Sequence, residues 1–196
     1  MKGVAVSSDR IVSAACDLAA LSGFASLTVG KVADRAQVST ALVHYHFDTK
    51  QALVTATAQK LSAERGSRRA AALAGRRAMT ALDALWDEIA SDAATGIERA
   101  WLELQALARD AEPIRSAVLA ARAIEQEGFA RRLPRLVEEL GSDAPVAADE
   151  AARLLAAVTD GLGVALTTGE APDAVRAAYD AFWLAMIAAG QGGRRR

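Results

Sequence analysis

The chain has 196 residues, 52% of them hydrophobic and only 5% aromatic, and its 23 Lys and Arg stand against 24 Asp and Glu for a formal net charge of −1. That length and balance suit one or two small globular domains with a real core, and a near-neutral total offers no bulk attraction to nucleic acid. A lone cysteine, Cys16, excludes an internal disulfide, and only four prolines interrupt long Ala, Leu, Glu and Arg tracts, so the expected fold class is all-α.

The N-terminal "MKGVAVSSDR" lacks the apolar run of a secretory signal, and the most apolar stretch, "AFWLAMIAAG" at 181–190, is too short to span a bilayer. The expected localisation is cytoplasmic, with no membrane partner. The net charge hides a split: residues 1–60 hold six basic against four acidic side chains, and the remainder seventeen against twenty. The weak positive bias of the first part has the sign that phosphate binding needs.

In chain order, a first helix is expected from near Ser8, its apolar stripe Ile11, Ala14, Ala15, Leu18 and Leu21, with Gly23 as a left-handed stop. Thr28 reads as the N-cap of a short helix "VGKVADRA", striped by Val29, Val32, Ala33 and Ala36. Gln37 and Val38 link it to Ser39, the cap of another short helix. Two short helices so tightly joined predict a helix-turn-helix. Wound at about 100° per residue, the second of them puts Val43, His46 and Phe47 on one arc and Thr40, Ala41, Leu42, His44 and Tyr45 on the other. Asp48 or Thr49 restarts a helix running through Leu53, Ala56 and Leu61.

Beyond residue 65, breaks near Gly75, "SDAATG" at 91–96, "DAEP" at 110–113, "GSDAP" at 141–145 and "TTGEAP" at 167–172 predict five more helices. Pro134, inside the long Ile114 to Leu140 segment, predicts a kink. The terminal "GQGGRRR" reads as a frayed, solvated tail.

The segment "QVSTALVHYHFDTK" holds both histidines of the chain. A metal site would need them to converge with a third ligand, but residues two apart on a helix do not face each other. No metal and no cofactor is expected. Catalysis is equally poorly supported, since there is no Gly-x-Ser-x-Gly elbow, no glycine-rich phosphate loop and no paired carboxylate geometry. The chain is expected not to be an enzyme.

Duplex DNA recognition needs an exposed helix face of small and polar residues, with donors beside it for phosphates. Thr40 and His44 suit base edges, Ala41 and Leu42 thymine methyls, and Tyr45 a backbone phosphate. Lys50 and Thr28 stand at helix N-termini, where the dipole and free N–H groups favour an anion. His46 reads as a packing residue and Cys16 as core.

These residues carry a resemblance: "TVGKVADRAQVSTALVHYHFDTKQAL", with "RIVSAACDLAALSGF" before it, resembles the DNA-binding domain of the TetR family of bacterial transcriptional regulators. The likeness runs from about Arg10 to Leu53. It implies that Phe47 packs and Lys50 holds phosphate, that Thr40, Ala41 and His44 face bases, and that Tyr45, Lys50 and Thr28 hold the backbone. Two positions depart from the family pattern. Gln37 stands where a glycine is usual, at the cost of a left-handed conformation, and His44 stands where tyrosine is common.

The resemblance divides the chain into a DNA-binding domain at 1–55 and a helical effector-binding and dimerisation domain at 56–196. The last two helices hold Leu155, Val158, Leu162, Tyr179, Phe182 and Met186, which suit either a four-helix seam between two subunits or an internal core. Met79, Trp86, Trp101, Leu104, Arg122 and Phe129 are the candidate walls of an effector pocket. The function implied is a homodimeric repressor of a palindromic operator, released by a small apolar or amphipathic effector. A body that only dimerises, an activator or architectural DNA binder, and a helical enzyme are the competing readings.

Overall fold

The computed structural model describes residues 2–193, with side chains from Ser8 to Gln191. Among the described residues the chain forms nine α-helices and a 3₁₀ turn, with no strand. They are α1 (Lys2–Ser22), the 3₁₀ turn Phe24–Ser26, α2 (Val29–Ala36), α3 (Thr40–His46), α4 (Lys50–Leu73), α5 (Ala78–Thr95), α6 (Ile97–Leu107), α7 (Glu112–Glu139), α8 (Ala148–Thr167) and α9 (Pro172–Gly193). The all-α class and the five helices after Gly75 are as the sequence predicts. The expected tail divides: Gly190 to Gly193 continue α9, and the three arginines lie outside the described residues.

Two compact units share these helices: Met1–Glu64 with Thr95–Ala120, and Arg65–Ala94 with Ala121–Arg196. In the first, α2 and α6 pack on α1, and α3 packs on α2. Ile11, Ala15 and Ala19 of α1, Phe24, Leu27, Val32, Val43, Leu53, Trp101 and Leu104 are buried there. Leu21, expected in the α1 stripe, is 60% exposed. Counted at about 100° per residue from Ile11, it lies on the opposite side of the wheel from Ala15 and Ala19, at the margin of the apolar arc.

Gly23 ends α1 as expected but with φ 80 and ψ 162, a positive-φ conformation that favours glycine and lies outside the left-handed helical region; its N–H still closes the last turn on Ala19 O at 2.8 Å. The 91–96 break narrows to one residue. Alanine-rich sequence carries α5 to Thr95, and Gly96, at φ 83 and ψ 3, alone separates it from α6. A Cβ at Gly96 would lie 2.1 Å from Ala20 O, the carbonyl to which Arg99 Nη2 also donates. Thr49 rather than Asp48 caps α4, its Oγ1 accepting from Ala52 N–H at 3.0 Å.

The core of the second unit joins Leu82, Leu85 and Ile89 of α5 to Phe129, Leu133 and Leu136 of α7, Leu155 and Leu162 of α8, and Tyr179 and Trp183 of α9. Tyr179 donates its buried hydroxyl to Leu82 O at 2.7 Å, which removes the cost of burying it. Helix α7 runs on through Pro134 to Glu139, and that proline is exposed. Among the described residues no helix is long and apolar enough to cross a membrane.

Candidate nucleic-acid interface

Short helices need their ends satisfied, and α2 and α3 meet that need with side chains and a specific turn. Thr28 Oγ1 accepts from Lys31 N–H at 3.3 Å and Ser39 Oγ from Leu42 N–H at 3.1 Å, so both caps sit where the sequence puts them. Between the helices Gln37 takes φ 53 and ψ 49, the only positive φ among described non-glycine residues. Gln37 N–H donates to Asp34 O and Val38 N–H to Ala33 O, the pattern that lets a helix end sharply. A glutamine here carries a Cβ in a conformation costing about 1–2 kcal/mol.

That turn presents α3. Val43 is fully buried and fixes the helix on its support, while Thr40, Ala41, His44 and Tyr45 are exposed, Tyr45 by 72%. Leu42 is half-buried and offers only part of its side chain outward. His46 turns to the other side, half-buried, its Nε2 out of solvent without a hydrogen-bond partner and its ring 5.3 Å from that of Tyr45, edge-on. The two histidines thus diverge, and among the described residues no cluster of three or more His, Cys, Asp or Glu could hold a metal ion.

The first unit's basic side chains divide into paired and unpaired ones. Arg35 is spent on Asp17 at 3.0 Å, and Lys60 on Asp9 and Glu64 at 2.9 and 3.1 Å. Lys50, at the first position of α4, is exposed without an ionic or hydrogen-bond partner among the described residues. Lys31 was not singled out by sequence; its Nζ meets only Ser26 O at 3.3 Å and keeps its charge uncompensated. The signal for it was position: an exposed lysine one turn into α2, beside the Thr28 cap.

The six candidate effector residues fall in different units. Trp101 and Leu104 are buried in the first; Phe129 is buried in the second, where Trp86 packs 5.6 Å from the Tyr179 ring and Arg122 pairs with Asp160 at 2.8 Å. Met79 is 63% exposed. Of the six candidate interface residues, Leu155, Leu162, Tyr179 and Met186 are buried in the second unit's own core, with Val158 and Phe182 packed against it. The outward faces of α8 and α9 instead carry Leu154 and Leu184, 46% and 67% exposed, among Ala157, Gly161, Ala181 and Ala185.

The second unit also buries a charged network. Arg65 and Arg69 of α4 meet Asp92 of α5, Glu125 of α7 and Asp160 of α8. Arg65 reaches Asp160 at 2.7 Å, Arg68 joins at the margin through Asp92 at 2.6 Å, and Arg122 through Asp160 at 2.8 Å. Burial raises the Glu125 carboxyl above its ordinary range, and Arg65 and Arg69 only partly oppose it. For Asp160 burial acts the same way, but Arg65, Arg122 and Arg69 outweigh it and hold the carboxyl below the usual range.

Residues 11–57 match the sequence model of a family described as bacterial regulatory proteins, tetR family. No curated protein matches the chain in sequence. Among solved structures, a TetR transcription regulator from Haloarcula marismortui superposes with a TM-score of 0.71 at 23% identity, covering 93% of this chain and 98% of that one. A transcriptional regulator from Rhodococcus sp. Rha1 gives 0.74 at 23%, covering 92% and 95%. A candidate transcriptional regulator from Saccharomonospora viridis, solved in complex with choline, gives 0.72 at 23%, covering 91% and 95%.

Proposed function

We propose, from the premise that residues 11–57 belong to the tetR family of bacterial regulatory proteins, that this chain is a homodimeric, sequence-reading repressor released from its operator by a small effector. The observation that carries the reading is α3 itself. A seven-residue helix held from behind by Val43 turns Thr40, Ala41, His44 and Tyr45 outward, with Lys31 and Lys50 as uncompensated cations in the same unit.

In this reading residues 1–55 form the DNA-binding domain and 56–196 the effector and dimerisation domain. Thr40, Ala41 and His44 meet base edges, the exposed part of Leu42 meets a thymine methyl, and Tyr45, Lys50 and Thr28 hold phosphates. Two copies place their α3 helices in successive major grooves about 34–36 Å apart, so the operator is palindromic. The effector favours another spacing of the two helices and weakens DNA binding. Linkage makes DNA weaken the effector equally, by about 1–3 kcal/mol. The choline complex of the Saccharomonospora viridis protein supports a small organic effector for this architecture and leaves its polarity open.

The test is selection of bound duplexes from a random pool, with His44→Ala/Tyr45→Ala as the control. A palindrome enriched by the wild type and lost by the double variant is expected. Retention without enrichment by a folded dimer would overturn sequence reading. The buried ion network favours a second reading, in which the body dimerises and has no effector, because Arg65, Arg69, Asp92 and Glu125 fill space that a ligand would need. That reading predicts that no released effector is found bound to the second unit.

A further inference from the structure

The first unit contains a cleft of about 450 Å³, within the size range of small-molecule sites, that shares only Lys50 with the proposed DNA contacts. It is lined by Phe24 and Ala25 of the 3₁₀ turn, Lys50, Gln51 and Val54 of α4, and Glu103, Ala106 and Leu107 of α6. Phe24 and Val54 are buried side chains that meet the cleft, and Leu107 leaves 41% of its surface exposed. Ala25, Ala106 and Leu107 are the exposed apolar residues of the lining, and an apolar ligand would take that surface out of water.

The charged groups of the cleft are not equivalent. Glu103 is committed: its Oε2 accepts Phe24 N–H at 2.6 Å, and the carboxylate lies so close to the chain that a Cβ at Gly23 would be 2.4 Å from Oε1. Lys50 has no such commitment among the described residues. The cleft therefore combines an apolar lining with one uncommitted cation.

We infer that this cleft binds an amphipathic monoanion, a carboxylate on an aliphatic body, with its head on Lys50 Nζ and its body against Phe24, Val54 and Leu107. The consequence rests on the reading of Lys50 as a phosphate contact. One ammonium cannot serve a carboxylate and a DNA phosphate together, so ligand and DNA exclude each other inside the head.

Decanoate, below its micelle concentration, is titrated calorimetrically into the full chain without DNA, beside decanol and decyltrimethylammonium. One saturable decanoate site per chain is expected, with no saturation by the cationic analogue. Ala106→Trp, which fills the cleft from an exposed position, should abolish binding. Lys50→Gln should weaken it by about fivefold, the scale of one exposed ion pair. Thermal melts establish that both variants are folded. Absence of saturable binding, decanoate binding indifferent to both substitutions, or equal binding of the cation would overturn the site. In a second arm decanoate is added to protein on a fluorescent duplex. It should displace the wild type and not Ala106→Trp. Saturable decanoate binding that leaves duplex affinity unchanged would uphold the site and overturn the phosphate role of Lys50.

Discussion

At the scale of single residues, the α2–α3 turn is legible because its parts have one job each. Thr28 and Ser39 can be read as caps from type and position, and Gln37 as a strained turn from the resemblance, which puts a glycine at that position. Thr49 could not be chosen over Asp48, since both are capping types and sit side by side. Gln37→Gly should stabilise the chain by about 0.5–1 kcal/mol in urea denaturation, the Cβ penalty being only partly offset by glycine's freedom when unfolded. No gain would mean that the turn is not under strain. On DNA, Lys50→Ala should weaken specific and random duplexes alike and lower the salt slope by about one, whereas His44→Ala should cost about 1–3 kcal/mol on the selected site alone. Equal effects of both on both kinds of duplex would remove His44 from the base-reading set. Burial and the neighbouring Glu64 push the Cys16 thiol up to about 12, so it is protonated at neutral pH. Iodoacetamide at pH 8 should therefore label it only as the protein unfolds.

At the scale of elements, helix existence followed from periodicity and breaks from glycine, but the charged core did not stand out. Arg65 and Arg69 lie in a tract where arginine ordinarily marks a solvated face. The available signal was register: the buried stripe of α4 runs Val54, Ala58, Leu61, then Arg65, Arg69, Ala72 without changing its period. Asp160→Asn removes a carboxylate charge that Arg65 and Arg122 meet at 2.7 and 2.8 Å and should cost about 3–5 kcal/mol. The network also gives stability two opposing pH responses. Asp160, with its lowered folded pKa, stabilises above the ordinary carboxylate range and loses that contribution as pH falls through the folded value. Glu125, with its raised pKa, does the reverse: it is best tolerated protonated and costs stability as pH rises through its folded value. It faces Arg65 and Arg69 from α4, Arg122 on its own helix and Asp160 from α8. Urea titrations stepped downward from neutral pH should show stability first rising and then falling. The rise should vanish in Glu125→Gln, and its persistence there would assign it to another group.

At the scale of the whole molecule, the sequence distinguishes apolar stripes from polar ones but not an inner stripe from an outer one. Leu155, Tyr179 and Met186 have the helical spacing of a subunit seam, yet burial in their own unit leaves them little surface to share. The outward face of α9 is rich in alanine, whose small size suits close helix approach and whose weak hydrophobicity makes it inconspicuous in sequence. Leu154 and Leu184 are the large apolar residues exposed on α8 and α9. Leu154→Glu with Leu184→Glu should convert a sedimenting dimer to a folded monomer and lower affinity for a two-half-site duplex. A dimer that survives both changes would place the seam elsewhere.

The one-residue junction at Gly96 fixes the chain's length as well as its course. An extra residue there would advance α6 by about 100° of helical rotation. Trp101 and Leu104 would leave the core, and Glu103 would leave Phe24 N–H. A deletion would do the same in the opposite sense, and a substitution would meet Ala20 O. Exposed turns such as 168–171, which hold no helix, absorb insertions and deletions more readily. The joint between α5 and α6 has no such slack, and a library of single-codon insertions should be empty at that point.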